Sequence, residues 1–135
     1  MRQAIAEATY PESYGVYVVY APDPASDRPL YVGVAATEAI RDRWRKYHLK
    51  NRAGGSALRR TLGVHLGLVE SKLTRRQGRY YPPNVEQAIT DFLDTCEIEF
   101  WPAATTEEAD DLEVDLRRQL RPILNVATAR RRRSG

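Results

Sequence analysis

Seven residues of this 135-residue chain have side chains that could share a hydrolytic site. Tyr17 and Tyr31 lie in two tripeptides, Gly15-Val16-Tyr17 and Tyr31-Val32-Gly33, each inside a short β-branched and aromatic run. Arg43 and Tyr47 are four apart, so on a helix they share one face, and His48 stands beside them. Glu113 and Asn125 follow near the end of the chain. Hydrolysis needs a positioned water, a base for its proton, stabilisation of the charge that develops and help for the departing group. Phenol, guanidinium, imidazole and carboxylate are side chains of the kinds those tasks use. Each residue also has a plainer reading. Tyrosine and valine are good strand formers, and strand glycines mark bulges or close backbone approach. Arg43 could belong to a solvated basic face. Glu113 could pair with Arg117 at i,i+4, worth about 0.2–0.5 kcal/mol on an exposed helix, and Asn125 could cap the chain after Pro122.

The elements that must position these residues alternate in an α+β pattern. Tyr14 to Tyr20 reads as a strand, 21–29 as an irregular loop with three prolines and two aspartates, and Leu30 to Ala35 as the returning strand. Thr37-Glu38 reads as a helix start, with Ile40, Trp44, Tyr47 and His48 recurring near helical period up to Leu49. After a break at 51–55, Ser56 caps a helix carrying Leu58 and Leu62, with Arg59 and Arg60 projecting beside the apolar stripe. Leu68 to Leu73 fits a short strand or a helix end equally. Asn84 is expected to cap a helix through Ala88, Ile89, Phe92 and Leu93. Glu97 to Trp101 alternates as a strand with Ile98 and Phe100 on one face. Thr105 or Thr106 caps the last helix, whose Leu112, Leu116 and Leu120 turn inward before Pro122 ends it.

Length and composition allow one domain, placed at 1–128, because a second would be too small to hold a core. The single Cys96 permits no internal disulfide, and His48 and His65 add no zinc-site spacing. No run approaches the ~20 apolar residues that span a bilayer, so no membrane partner and a cytoplasmic location are expected. The net charge of +3 conceals two opposed stretches. Residues 41–81 hold twelve Lys or Arg against Asp42 and Glu70, about +10 by formal charge. Residues 82–129 hold three arginines against eleven acids, about −8. Arginine outnumbers lysine eighteen to three, and a guanidinium grips phosphate bidentately where an ammonium cannot. The segregation fits a polyanionic partner. The four consecutive arginines of 129–135, with nothing apolar beside them, read as a disordered basic tail.

The two tripeptides, followed in order by Arg43, Tyr47, Glu113 and Asn125, resemble the signature of the GIY-YIG nuclease superfamily. The segment from Ile40 to Tyr47 is similar to the Leu-Arg-x-Arg-x-x-x-Tyr pattern of the excision-repair incision nuclease, which selects Arg43 as the phosphate-stabilising arginine. Homing endonucleases of the superfamily place a histidine where Tyr47 falls, making the adjacent His48 the alternative occupant. The resemblance implies a small, mainly antiparallel three-stranded sheet flanked by helices. It implies a metal-dependent endonuclease acting on DNA, with RNA as the other admissible polyanion. Tyr17 would be the general base, Tyr31 would orient water or phosphate, Glu113 would hold Mg²⁺ or Mn²⁺, and Asn125 would orient the site. Segment 51–95 has no counterpart in the shortest members, so it reads as a basic helical insertion. Arg52, Arg59, Arg60, Arg75, Arg76 and Arg79, with Arg45 and Lys46, are its expected nucleic-acid contacts. Tyr80 and Tyr81 would either stack on unpaired bases or form a rigid loop over the core. The competing reading is a module of the same fold that binds nucleic acid without cutting it.

Overall fold

The computed structural model describes residues 2–22, 28–49, 56–72 and 80–124. Four antiparallel strands form one sheet in the order β1-β4-β2-β3: β1 is Gln3–Ala4, β2 Tyr14–Tyr20, β3 Tyr31–Ala35 and β4 Glu97–Ala103. The fourth strand beyond the expected three is β1, and two residues are too short to show a period-two pattern. β2 and β3 pair with Tyr17 opposite Gly33 and Val19 opposite Tyr31.

Strand alternation divides the interior in two. Tyr17, Val19, Tyr31, Ala35 and Ile98 face one side, and Val16, Val18, Tyr20 and Val32 face the other. The second side is covered by α4 (Thr106–Leu120) through buried Leu116, with Leu112 and Leu120 packed against it. The Thr105 hydroxyl caps α4 by accepting the Glu108 N–H at 3.1 Å. The first side is covered by α1 (Ile40–Arg43), α2 (Ala57–His65) and α3 (Pro83–Asp94). Leu58 and Leu62 of α2 and Ile89 and Leu93 of α3 are fully or almost fully buried there. Among the described residues, segment 51–95 therefore supplies six of the seventeen buried residues of the main core, and each of those leucines would cost about 2–5 kcal/mol to truncate.

Two helix starts differ in detail from the sequence expectation. Ser56 does cap α2, accepting the Arg59 N–H. The first helix begins at Ile40 after an extended Ala39, not at Thr37, because the Ile40 and Arg41 N–H groups are taken by Ser13 and Pro11 carbonyls. α3 begins at Pro83, where the missing N–H is harmless, and Pro82, not Asn84, precedes it. Residues 66–72 form turns and bends, neither strand nor helix. Tyr81 is buried with its hydroxyl donating to the Arg60 carbonyl at 2.8 Å, whereas Tyr80 stays exposed. No helix among the described residues is long and apolar enough to cross a membrane.

Candidate active site

The two motif glycines let main chain and side chain approach closely. A Cβ on Gly33 would stand 2.4 Å from Tyr17 Cζ, so the Tyr17 ring lies against bare backbone of its partner strand. Gly15 adopts φ +154° and its absent Cβ would fall 2.5 Å from the Trp101 carbonyl oxygen. Glycine at both positions is what allows β2 to fit between its neighbours with Tyr17 in this place.

Tyr17 Oη is the centre of the polar cluster. Arg43 Nε–H donates to it at 3.2 Å, and His48 Nε2 lies 2.7 Å away. Tyr31 stacks on Tyr17 with ring centroids 6.4 Å apart and meets the His48 ring edge-on at 6.3 Å. Trp44, fully buried, wedges against both Tyr17 and His48. Burial, and after it the charges of Tyr31 and Glu113, raise the Tyr17 phenol above its ordinary pKa, while Arg43 pulls it down. The cluster therefore holds a protonated phenol at neutral pH. His48 is also fully enclosed, and burial, reinforced by Arg43 and Arg59, pushes its pKa well below the usual imidazole value, so it is neutral.

His48 reaches this position because the helix widens after Arg43. Trp44–His48 is a π-helical turn, closed by the Leu49 N–H donating to the Trp44 carbonyl five residues back. The wider turn absorbs one extra residue, so the residue five on from Arg43 takes the place that the residue four on would hold in an α-helix. Tyr47, the residue expected at that place, is half-buried with the Arg43 guanidinium 5.3 Å from its ring centroid. The four-residue spacing thus does bring Arg43 and Tyr47 side by side, while His48 is the residue that reaches the Tyr17 hydroxyl. Arg43 is steadied from its other side by Glu38, whose carboxylate lies 3.6 Å from Nη1 and also receives Lys46 Nζ at 3.0 Å. Lys46 is thus ion-paired at the surface, and Arg45 is exposed.

Glu113 comes from α4, near enough for its charge to disfavour the Tyr17 phenolate. Its i,i+4 pairing with Arg117 exists, at 3.6 Å, but both side chains are buried, unlike the exposed pair that sequence spacing alone suggests. Among the described residues no three His, Cys, Asp or Glu cluster as metal ligands. The donor available is one carboxylate, which fits Mg²⁺ or Mn²⁺, hard ions that keep several waters and take further oxygens from a phosphate. It does not fit a structural zinc site.

The expected nucleic-acid contact Arg59 is corrected by the structure. Its side chain is fully buried, donating from Nε and Nη2 to Glu86 Oε1 at 3.2 and 3.0 Å and from Nη1 to the His48 carbonyl at 3.1 Å. The Leu58–Leu62 stripe placed Arg59 at its edge; Glu86 of α3, which no sequence feature singled out, draws it inside. Arg60 is half-buried. Arg52, Arg75, Arg76, Arg79, Asn125 and the 129–135 tail lie outside the described residues. Ser56, read from sequence only as a cap, places its Oγ 2.6 Å from His48 Nδ1.

The model of the GIY-YIG catalytic domain family matches residues 14–133, from β2 through α4 and beyond. No curated protein matches the chain. The chain belongs to the GIY-YIG catalytic domain family, a family of nucleases.

Proposed function

We propose that this GIY-YIG domain is a metal-dependent endonuclease that hydrolyses phosphodiester bonds in DNA. The observation that carries the reading is the hydrogen-bonded set Arg43–Tyr17–His48, built around a phenol that the two motif glycines admit. Tyr17 is the general base, Arg43 binds the scissile phosphate, and Tyr31 orients phosphate or water beside them. Arg43 suits this task because Glu38 and Tyr17 already fix its position, so little reorganisation remains when charge builds on the phosphate. His48 contacts the base, and Tyr47 flanks Arg43. Glu113 is the residue that would hold Mg²⁺ or Mn²⁺, with Asn125 following it. A divalent ion there would supply positive charge against the phosphate. Arg45, Lys46, Arg52, Arg60, Arg75, Arg76 and Arg79 supply phosphate contacts outside the site. A cytoplasmic location completes the reading.

One observation favours the competing reading, nucleic-acid binding without cleavage: the buried Tyr17 phenol has a raised pKa and is a weak base until a cation or substrate changes its surroundings. Single-turnover cleavage with Mg²⁺ or Mn²⁺, across single-stranded, duplex and branched DNA and RNA, separates the two. Wild-type protein should cut at least one substrate. Tyr17→Phe should slow the cleavage step by roughly 10²- to 10⁴-fold with binding nearly unchanged, the usual scale of general base catalysis. Undiminished cleavage by Tyr17→Phe would sink the base assignment. Binding with no cleavage by the wild type would favour the binding module.

A further inference from the structure

Ser56 faces two ways at the start of α2. Its Oγ accepts the Arg59 N–H at 3.1 Å and lies 2.6 Å from His48 Nδ1, with the whole residue buried. A hydroxyl has one proton to give, and among the described residues His48 Nδ1 is the acceptor in its reach. The positive end of α2 also favours an oxygen that gives its proton over one that takes a second N–H. A neutral imidazole whose Nδ1 accepts carries its hydrogen on Nε2. That hydrogen then points at Tyr17 Oη, 2.7 Å away, where Arg43 Nε–H also arrives.

We propose that Ser56 is a positioning residue of the cleavage site: by donating its hydroxyl proton to His48 Nδ1 it fixes the Nε2–H tautomer, so that Tyr17 Oη receives hydrogen bonds from both His48 and Arg43. This rests on the reading of Tyr17 as the base. Two donors on one phenol oxygen favour the phenolate form, opposing the burial that disfavours it. In this arrangement His48 supports the base as a donor, so the phenol gives up its own proton to solvent water and the phenolate then takes the proton of the attacking water. Arg59 holds the main chain of His48 through its carbonyl while Ser56 holds the ring, so one turn of α2 fixes the residue at both ends. The first turn of α2 thereby acts on the chemistry through His48.

The test is the ¹⁵N NMR spectrum of the histidine-labelled chain at neutral pH. The chain has two histidines, so His65→Gln assigns the signals. The expected result is a protonated Nε2 and an unprotonated Nδ1 in His48. A protonated Nδ1 in the wild type overturns the proposal, whatever the variants do. Ser56→Ala should lose the fixed tautomer and lower kcat roughly 10- to 100-fold, the scale of a misplaced catalytic group, with KM little changed. Ser56→Thr, which keeps cap and hydroxyl, should restore both. Ser56→Ala with a wild-type spectrum and kcat also overturns it. Should Ser56→Ala not fold, the wild-type spectrum and Ser56→Thr decide. Failure of the Tyr17 reading would look different: Tyr17→Phe would cut normally while the wild-type His48 tautomer stayed Nε2–H.

Discussion

Arg59→Ala separates a residue that binds nucleic acid from one that holds the fold, because the two roles predict opposite effects. In the structure the guanidinium has no surface to offer: it meets Glu86 Oε1 twice, the Glu86 carbonyl at 2.8 Å, Thr90 Oγ1 at 3.0 Å and the His48 carbonyl. Removing it takes the Arg59 cation away from the buried Glu86 carboxylate, whose Oε2 still accepts the Tyr81 N–H. Breaking one side of a buried pair costs about 3–5 kcal/mol. A chain of this length has a total stability of roughly 7–20 kcal/mol, so the loss is a large share. At roughly 3–5 °C per kcal/mol for a domain of this size, Tm should fall by about 10–20 °C. The double variant Arg59→Met with Glu86→Leu should recover most of that, since an apolar pair of similar volume strands no charge. Thermal unfolding followed by circular dichroism reads the stability, and binding to labelled DNA across a salt series reads the contacts. Exposed Arg45→Ala is the counterpart: Tm within about 2 °C of wild type and, where it meets a phosphate, a salt slope shallower by about 0.9. An Arg59→Ala chain that melts like the wild type and binds DNA with a shallower slope would refute the burial argument.

The remaining predictions concern charge, space and pH. Affinity for DNA should fall steeply between ~50 and ~200 mM salt if several arginines displace counterions; a flat response in gel shift would remove the phosphate-contact reading. Glu113→Gln should abolish Mg²⁺-dependent cleavage while the chain still folds and binds, and it is preferable to Glu113→Ala because Arg117 stays packed against a polar partner. Gly33→Ala should both destabilise the chain and cut activity, since the added methyl meets the Tyr17 ring at 2.4 Å; normal activity would show that Tyr17 need not lie there. His48 gives a pH dependence whose sign follows from its depressed folded-state pKa. Below about pH 6.5 the unfolded chain binds a proton at His48 that the folded chain does not, so stability is full above that pH and declines below it. Urea unfolding should show up to about 1.4 kcal/mol lost per pH unit from this group, and a level profile between pH 7 and 5 would contradict the neutral, buried imidazole.

The sequence by itself determined which strands carry the tyrosines, that an arginine helix follows them and that Glu113 sits on an inward-packing last helix. Those features are local: strand composition, helical period and cap residues act over a few positions, so they can be read from the neighbours in the chain. The family assignment rests on the same local patterns, and the match over 14–133 agrees with it. Which residue after Arg43 meets Tyr17 was decided by the tertiary structure. A π turn forms where Trp44 must fill the core and His48 must reach both Tyr17 and Ser56, and nothing in the spacing of Arg43, Tyr47 and His48 encodes that turn. Arg59 shows the same division. Its place in the chain, next to Arg60 in a basic run, reads as surface, and only the approach of Glu86 from a helix 27 residues away makes its burial tolerable. Charge counts describe a segment's composition; whether a given charge faces solvent depends on a partner that folding brings from elsewhere.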